Sequence, residues 1–509
     1  MRLFHSIRLP LLLTAGLLAA ALGAAAEVTP TAATQAGHHT VSDRYTITID
    51  GVRLPVEAYK DIFYVNFSLR GKAPVCIESA ERIEACTVSP AARGIAASID
   101  GTTARFTLPG DGWWVVRIND RDRLFLLADK PEKAPRGKVL DAADYISGEG
   151  LQTANLQRAL DEAAASGRTL LFPRGVYRTG TLRIGSNTHV YLADGAIICG
   201  SDNRDDYPTD NGLAEADHIR NKEHYSDNGE RMTFSRLILI EGENISLLGR
   251  GIIDGSGSVL RAQGKPANLI RVRNARNVRI EGLLLRDPAA WNTHILHSDD
   301  VVIRDVKLIN DATVPNTDGF DPDASTGVRI DHCFAYCSDD NVAVKSTNNF
   351  DLLKDVERIT VCRCVFLTRK SSLKVGTETK AARMSDIRFE NNDVVECDRA
   401  LALYCNDGAL FEKIAFTGNR IERNYPDSQR RQIHFKISAR DGKGRIRNVT
   451  VRNCDFAVAF PRPTEIAGLD AEHTIDGVRF VNLRIGGRKI RTAEELGAKI
   501  RFTENIRFE

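Results

Sequence analysis

The stretch DVVIRDVKLINDATVPNTDGFDPDASTGVRIDHCFAY, Asp300–Tyr336, decides how the chain folds. Its two ends, DVVIRD and GVRIDH, alternate apolar and polar residues with the period of two that marks a strand buried on one side. No helical pattern lies between them, and NTDGFDPDAS, Asn316–Ser325, gathers three aspartates in ten residues. The same short pattern recurs on both sides of the stretch: NISLLG, NVRIEG, RITVCR, DIRFEN, KIAFTG, NVTVRN and GVRFVN.

The first apolar residues of these runs are Ile245, Val278, Val301, Val328, Ile359, Ile387, Ile414, Val449 and Val478, at steps of 33, 23, 27, 31, 28, 27, 35 and 29 residues. A unit of that size cannot bury its own apolar face, whereas stacked units share one continuous core. A leucine-rich repeat needs shorter, leucine-dominated units, and a βαβ fold needs helices that are absent. Coils of variable length fit a right-handed parallel β-helix, expected over residues 140–509. One helical segment, NLQRALDEAAASG at 155–167, precedes the repeats and is placed to cap their open N-terminal edge.

Residues 40–135 read differently. Short alternating runs (YTITID, IFYVNFSL, ASIDGTTARFTL, WWVVRI, RLFLLA) are separated by turn residues, as in a small antiparallel β-sandwich. LADKPEKAPRG reads as the linker that ends it. Before that, residues 1–26 combine a basic start, an apolar LLLTAGLLAAALG core and Ala24-Ala25-Ala26, which is the pattern of a secretory signal peptide. The core is too short for a comfortable membrane span. The expectation is therefore a secreted or periplasmic protein with no membrane association after cleavage.

The chain has 69 basic and 67 acidic residues, a net charge of +2, which gives no electrostatic argument for a nucleic-acid partner. Ten cysteines in an exported chain permit disulfides. In the repeat region, buried free thiols are the simpler reading, and Cys76 with Cys86 is the closest pair in the N-terminal region.

Asp318 precedes Asp339 by 21 residues and Asp340 by 22, about one short coil. In a solenoid with strands about 4.8 Å apart, these carboxylates converge. Grouping them costs repulsion. Three readings fit: acid–base hydrolysis of a glycosidic bond, with the carboxyls about 6.5–9.5 Å apart in an inverting enzyme; a calcium site; or turn chemistry alone, the reading preferred for Asp321 and Asp323. No His/Cys ligand set accompanies the acids, so neither a metal nor another cofactor is expected.

Asn316-Thr317-Asp318-Gly319-Phe320-Asp321, followed by Asp339-Asp340-Asn341-Val342-Ala343-Val344, resembles glycoside hydrolase family 28, the polygalacturonase-like β-helix enzymes. The likeness runs over roughly residues 150–480. It implies that Asp339 is the general acid, that Asp318 and Asp340 hold and deprotonate a water, and that the reaction inverts. Two departures stand out. The family's Gly-His-Gly falls on Lys370-Ser371-Ser372, and its Arg-Ile-Lys on Ala402-Leu403-Tyr404. The N-terminal sandwich resembles that of family 49, the dextranase and isopullulanase group.

Strand alternation puts Val342, Val344, Leu373, Val375, Ile433, Phe435 and Ile437 inside. Lys345, Lys374, Tyr404, His434 and Lys436 then stand outside, on the aspartate face. With Asn316, these five make a candidate sugar-binding groove. An ordinary solvated face, with lysines neutralising acids, is the alternative. Trp291 and His294 are further candidates, packing being the simpler role for Trp291. The expected function is hydrolysis of a pectin-like or related polysaccharide or oligosaccharide by a monomer. A polysaccharide lyase and a non-catalytic carbohydrate-binding adhesin on the same scaffold remain alternatives.

Overall fold

The computed structural model describes residues 26–31, 39–135, 137–208, 235–348, 352–427 and 429–509. The signal-peptide reading and most of an insertion at 202–235 therefore fall outside the described residues. No described helix is long and apolar enough to cross a membrane.

Two packed sheets form the N-terminal part. One has five strands, including Tyr45–Ile49, Ala73–Ser79 and Thr103–Leu108. The other has seven, including Ile62–Arg70, Gly112–Ile118 and Asp122–Asp129. Ile47, Ile77, Phe67, Trp114, Val116 and Leu126 fill the space between them. Pairing is antiparallel with one exception: Asp122–Asp129 runs parallel to Ile62–Arg70. Leu127, Ala128 and Asp129 belong to that strand, so the linker starts later than LADKPEKAPRG suggests.

The described strands from Val139 onward wind into coils and stack in two further sheets of 23 and 12 strands. A coil has three strands. Phe320–Asp323 and Thr326–Asp331 lie in the larger sheet and Phe334–Cys337 in the smaller; one turn further on come Val342–Ser346, Val356–Cys362 and Val365–Thr368. The repeat residues are direct strand partners. Ile245 faces Val278, Val278 faces Val301, Val301 faces Val328, Ile359 faces Ile387, Ile387 faces Ile414, Ile414 faces Val449 and Val449 faces Val478.

Each of these residues follows a sharp bend. Asn244, Asn277, Asp300, Gly327, Arg358, Asp386, Lys413, Asn448 and Gly477, one before each, all have positive φ. Gly, Asn and Asp tolerate the left-handed region at least cost, which explains seven of the nine. The bend separates two faces of a coil within one long hydrogen-bonded sheet.

The helix Thr153–Ser166 buries Leu156, Ala159, Leu160 and Ala163 against Leu170, Leu182 and Ile184 of the first coils, and stops at Gly167 in the left-handed conformation. It covers the first rung as expected. All ten cysteines are free, Cys76 and Cys86 included.

The sandwich is docked on the β-helix. Trp113, Val115, Phe125 and Leu127 point away from the sandwich core and pack on Ile197, Leu284, Phe334 and Leu367, outward residues of the twelve-stranded sheet. That leaves the first strand face of each coil, and the turn leading into it, for the polar cluster described next.

Candidate functional site

Asp318 lies in the turn just before Phe320–Asp323, and Asp339 and Asp340 in the turn just before Val342–Ser346. These turns stack. Gly319 N–H donates to the Asp340 carbonyl (2.8 Å), and Asn341 ties its own turn to neighbouring coils through Ala335 O (3.2 Å) and Leu367 O (2.8 Å). Oxygens of the three carboxyls come within 4.8 Å of one another. The one-coil spacing thus brings them together. They are recessed rather than on an exposed face: Asp318 and Asp340 are each 3% exposed, and only Asp339 is partly open.

Two lysines reach into this group. Lys345 Nζ lies 3.0 Å from Asp318 Oδ2 and 3.2 Å from Asp321 Oδ1, with Glu378 at 3.9 Å. The same ammonium sits 3.6 Å from the centre of the Trp291 ring, a cation–π arrangement. Lys374 Nζ lies 2.5 Å from Asp340 Oδ2 and 3.0 Å from Thr377 Oγ1, and Ser371 N–H donates to the other Asp340 oxygen at 2.9 Å. Among the described residues Asp339 has no ammonium or guanidinium within 4.0 Å; its Oδ1 accepts the Asp340 N–H at 2.9 Å.

The charge states follow. Burial pushes Asp339 up to about 7, and repulsion from Asp318 and Asp340 adds to it. Burial also works on Asp340, but Lys374 and Arg399 outweigh it and hold that carboxyl below the usual range. Burial raises Asp318 well above its ordinary value, opposed by Lys345 and reinforced by Asp321 and Asp340. Burial works against the charge on Lys345 and Lys374, yet their carboxylate neighbours keep both ammoniums above the ordinary lysine value.

The inward set expected from strand alternation does fill the core: Val342, Val344, Leu373, Val375, Ile433, Phe435 and Ile437. The outward set corrects the sequence reading. Outward from the solenoid is not outward into water, and Lys345, Lys374, Tyr404 and His434 are all buried. The two lysines are bound to aspartates instead of lining an open groove. Tyr404 OH and His434 Nδ1 share a 2.7 Å hydrogen bond, and burial with nearby Arg431, Lys436 and Arg399 lowers His434 to about 3, so it is neutral. Lys436 is partly exposed, 4.5 Å over the Tyr404 ring. Asn316 is exposed in the loop before Asp318, and its side chain takes a long 3.5 Å bond from Arg261.

Asp321 and Asp323 are strand residues rather than turn residues, both fully buried. Asp323 accepts from Thr347 N–H (2.8 Å) and is paired with His294 Nε2 (2.9 Å), while Trp291 packs edge-on to His294. Sequence reasoning also passed over Glu378 and Arg399. Arg399 opens the strand Arg399–Asp407, with Nη1 3.5 Å from Tyr404 OH. Its only signal was a cation immediately before the apolar alternation of ALALY, on the coil after Lys374.

The fold is a right-handed parallel β-helix with a docked sandwich, and it carries this recessed carboxylate–ammonium cluster at the turns that lead into its larger sheet. The chain carries a match to the model of Glycosyl hydrolases family 28 over residues 220–410, which holds all three clustered aspartates and is narrower than the likeness read from the sequence. Two curated relatives are a probable polygalacturonase of Vitis vinifera and an exo-poly-alpha-D-galacturonosidase of Dickeya chrysanthemi. The first is 25% identical over 255 residues (44% of this chain, 50% of that protein) and the second 24% over 323 residues (52% and 51%). This chain thus spans about half the length of each. Among solved structures, a family 28 exopolygalacturonase of Yersinia enterocolitica superposes with a TM-score of 0.54 at 16% identity, covering 86% of this chain and 96% of that one. Dex49A from Penicillium minioluteum reaches 0.65 at 13% identity, covering 94% and 96%, so the shared fold extends over the sandwich as well.

Proposed function

We propose that this chain is an exported hydrolase of glycosidic bonds in an acidic, pectin-like glycan, with Asp339 as general acid and Asp340 as base. The observation that carries this reading is the contrast between neighbouring carboxyls: Lys374 holds Asp340 ionised, while among the described residues no ammonium or guanidinium lies within 4.0 Å of Asp339. A proton-holding carboxyl beside an ionised one is what acid–base cleavage needs. Asp340, ionised, is suited to take a proton from water, and Asp318 to hold that water in place. Polygalacturonase and exo-poly-alpha-D-galacturonosidase among the relatives support a uronate polymer as substrate. Arg399 and Lys436 near Tyr404 suit a uronate carboxylate.

The lysine–aspartate pairs argue against the alternatives. A lyase needs a neutral base, and both lysines are held in the charged form by their carboxylates. A calcium ion wants six to eight oxygen ligands, whereas two of the three clustered carboxyls already hold an ammonium, so activity is expected to survive a chelator. Inversion rests on the family resemblance.

The experiment is digestion of polygalacturonate. New reducing ends without an unsaturated product support the hydrolase; an unsaturated product means a lyase, and neither means an adhesin. Proton NMR of the first-formed anomer then decides between inversion and retention.

A further inference from the structure

The sandwich and the twelve-stranded sheet leave a cavity of about 160 Å³ at one corner of their boundary, bordered by Arg93, Asp111, Gly112, Trp114, His332 and Arg363. It lies at a different bend of the coil from the aspartates. His332 and Arg363 stand where the chain enters the twelve-stranded sheet, whereas Asp318 and Asp339 stand where it leaves. Nothing in the cleft chemistry uses it.

Three features give it the character of a binding site. The indole N–H of Trp114 is buried with no hydrogen-bond partner, and a buried donor left unpaired is costly to the fold. Space is kept open beside it: a Cβ on Gly112, whose φ is +145°, would lie 3.6 Å from that nitrogen. Two guanidinium side chains at the wall, Arg93 and Arg363, are 57% and 59% exposed. Arg93 makes only a loose 3.7 Å pair with Asp393; Arg363 holds Asp331 at 2.6 Å. His332 is oriented by Asp305 at 2.6 Å. Asp111 is the one acid on the wall.

We propose that this cavity binds one carboxylate-bearing sugar unit, as an accessory site separate from the cleft. The guanidiniums supply charged donors for the carboxylate, and the Trp114 N–H donates to a hydroxyl or ring oxygen. The volume is below the roughly 300–1,000 Å³ of pockets for larger ligands, which suits a single ring or a chain end. The proposal rests on the acidic-glycan reading for its ligand class, but not on the assignment of Asp339.

The test is titration of the full-length Asp339→Asn protein with D-galacturonate by calorimetry, with D-galactose as the neutral control. Two galacturonate sites are expected, one in the cleft and one here. Trp114→Phe, which keeps the ring in the sandwich core, and Arg93→Gln, on the surface, should each weaken one of the two by at least about tenfold. Galactose should bind less tightly than galacturonate at that site. A single site untouched by both variants, or galactose binding as well as galacturonate, overturns the proposal. Digestion of polygalacturonate by Trp114→Phe in the Asp339 background is expected at the wild-type rate. Loss of hydrolysis in the wild-type chain with retained two-site binding would count against the cleft reading alone.

Discussion

Asp339→Asn keeps the shape of the acid and removes its proton, and two measurements follow. Turnover on polygalacturonate should fall by about 10²- to 10⁴-fold or more, because general acid catalysis is worth that much. Stability should move the other way. A carboxyl raised to about 7 holds a proton in the native state that the unfolded chain releases. Its contribution is full below the ordinary carboxyl pKa and is lost as pH rises through 7. Relative to wild type, the Asn protein should therefore gain melting temperature as pH is raised from 5 to 8; a parallel trend in both proteins would refute the raised pKa. Lys374→Met tests the partner. From the sequence, Lys374 looked like a substrate contact of the sugar-binding groove, and loss of such a contact would raise KM. The 2.5 Å pair with Asp340 points instead to charge control. Without the ammonium Asp340 should titrate higher, so the acidic limb of the kcat/KM profile moves up in pH and kcat falls. A pure KM effect with an unmoved limb would restore the contact reading. This difference also marks what was legible at this scale. Alternation assigned Lys374 to the right side of its strand, but a period of two reports only which side of the sheet a residue is on. Whether it meets water or a carboxylate depends on the next coil, and Arg399 was missed for the same reason; Asp321 was read as a turn residue, because nothing in the sequence marked Phe320–Asp323 as a strand.

At the scale of the coil, the sequence carried far more. Apolar residues spaced 23 to 35 residues apart are strand partners, because each must land on the shared core and its bend must fall one residue earlier. The coils differ in length, yet the register holds, since length varies in turns that stand outside the core. What the pattern did not reveal is how closely the turns of adjacent coils approach. Gly319 shows it: a Cβ there would sit 2.5 Å from the Asn341 carbonyl oxygen, backbone that has no room to yield. Gly319→Ala must therefore push the Asp318 turn away from the Asp339–Asp340 turn. Overpacking of this kind costs about 1–3 kcal/mol, and a shift near 1 Å can cost about 10²-fold in rate. We expect a lower melting temperature and a larger loss of kcat than of substrate affinity. Wild-type kcat in Gly319→Ala would mean that the distance between the two turns does not govern the chemistry.

Taken whole, the molecule is held together by an interface that neither part could leave exposed. The twelve-stranded sheet presents Ile197, Leu284, Phe334 and Leu367 outward, and the sandwich covers them. Polar groups are buried within that seam too. Arg286, with no exposed surface, bonds Asp254 Oδ2 at 2.6 Å, Glu57 Oε2 at 3.0 Å and Tyr64 OH at 2.7 Å. Lys307 lies 2.6 Å from Asp129 Oδ2, and Arg117 is paired with Glu396. From the sequence the sandwich looked like a module ahead of a linker, because period-two strands say nothing about which of two polar-looking faces meets another sheet. Only the continuous apolar character of GWWVVRI and RLFLLA, too apolar for one solvated face, hinted at burial on both sides. The physical consequence is cooperative unfolding: separating the parts would expose the apolar seam and strand its charges together. Calorimetry should show one transition for sandwich and β-helix. Arg286→Ala should lower it, since removing one partner of a buried ion pair costs about 3–5 kcal/mol by leaving Asp254 and Glu57 uncompensated. Arg286→Met, which fills the space but leaves the same two acids behind, should be nearly as damaging. If it is not, the cost lies in lost packing and the seam is held by its apolar residues alone. Two well-separated transitions in the wild-type protein would break the argument altogether, because the sandwich would then be a tethered module whose seam contributes little.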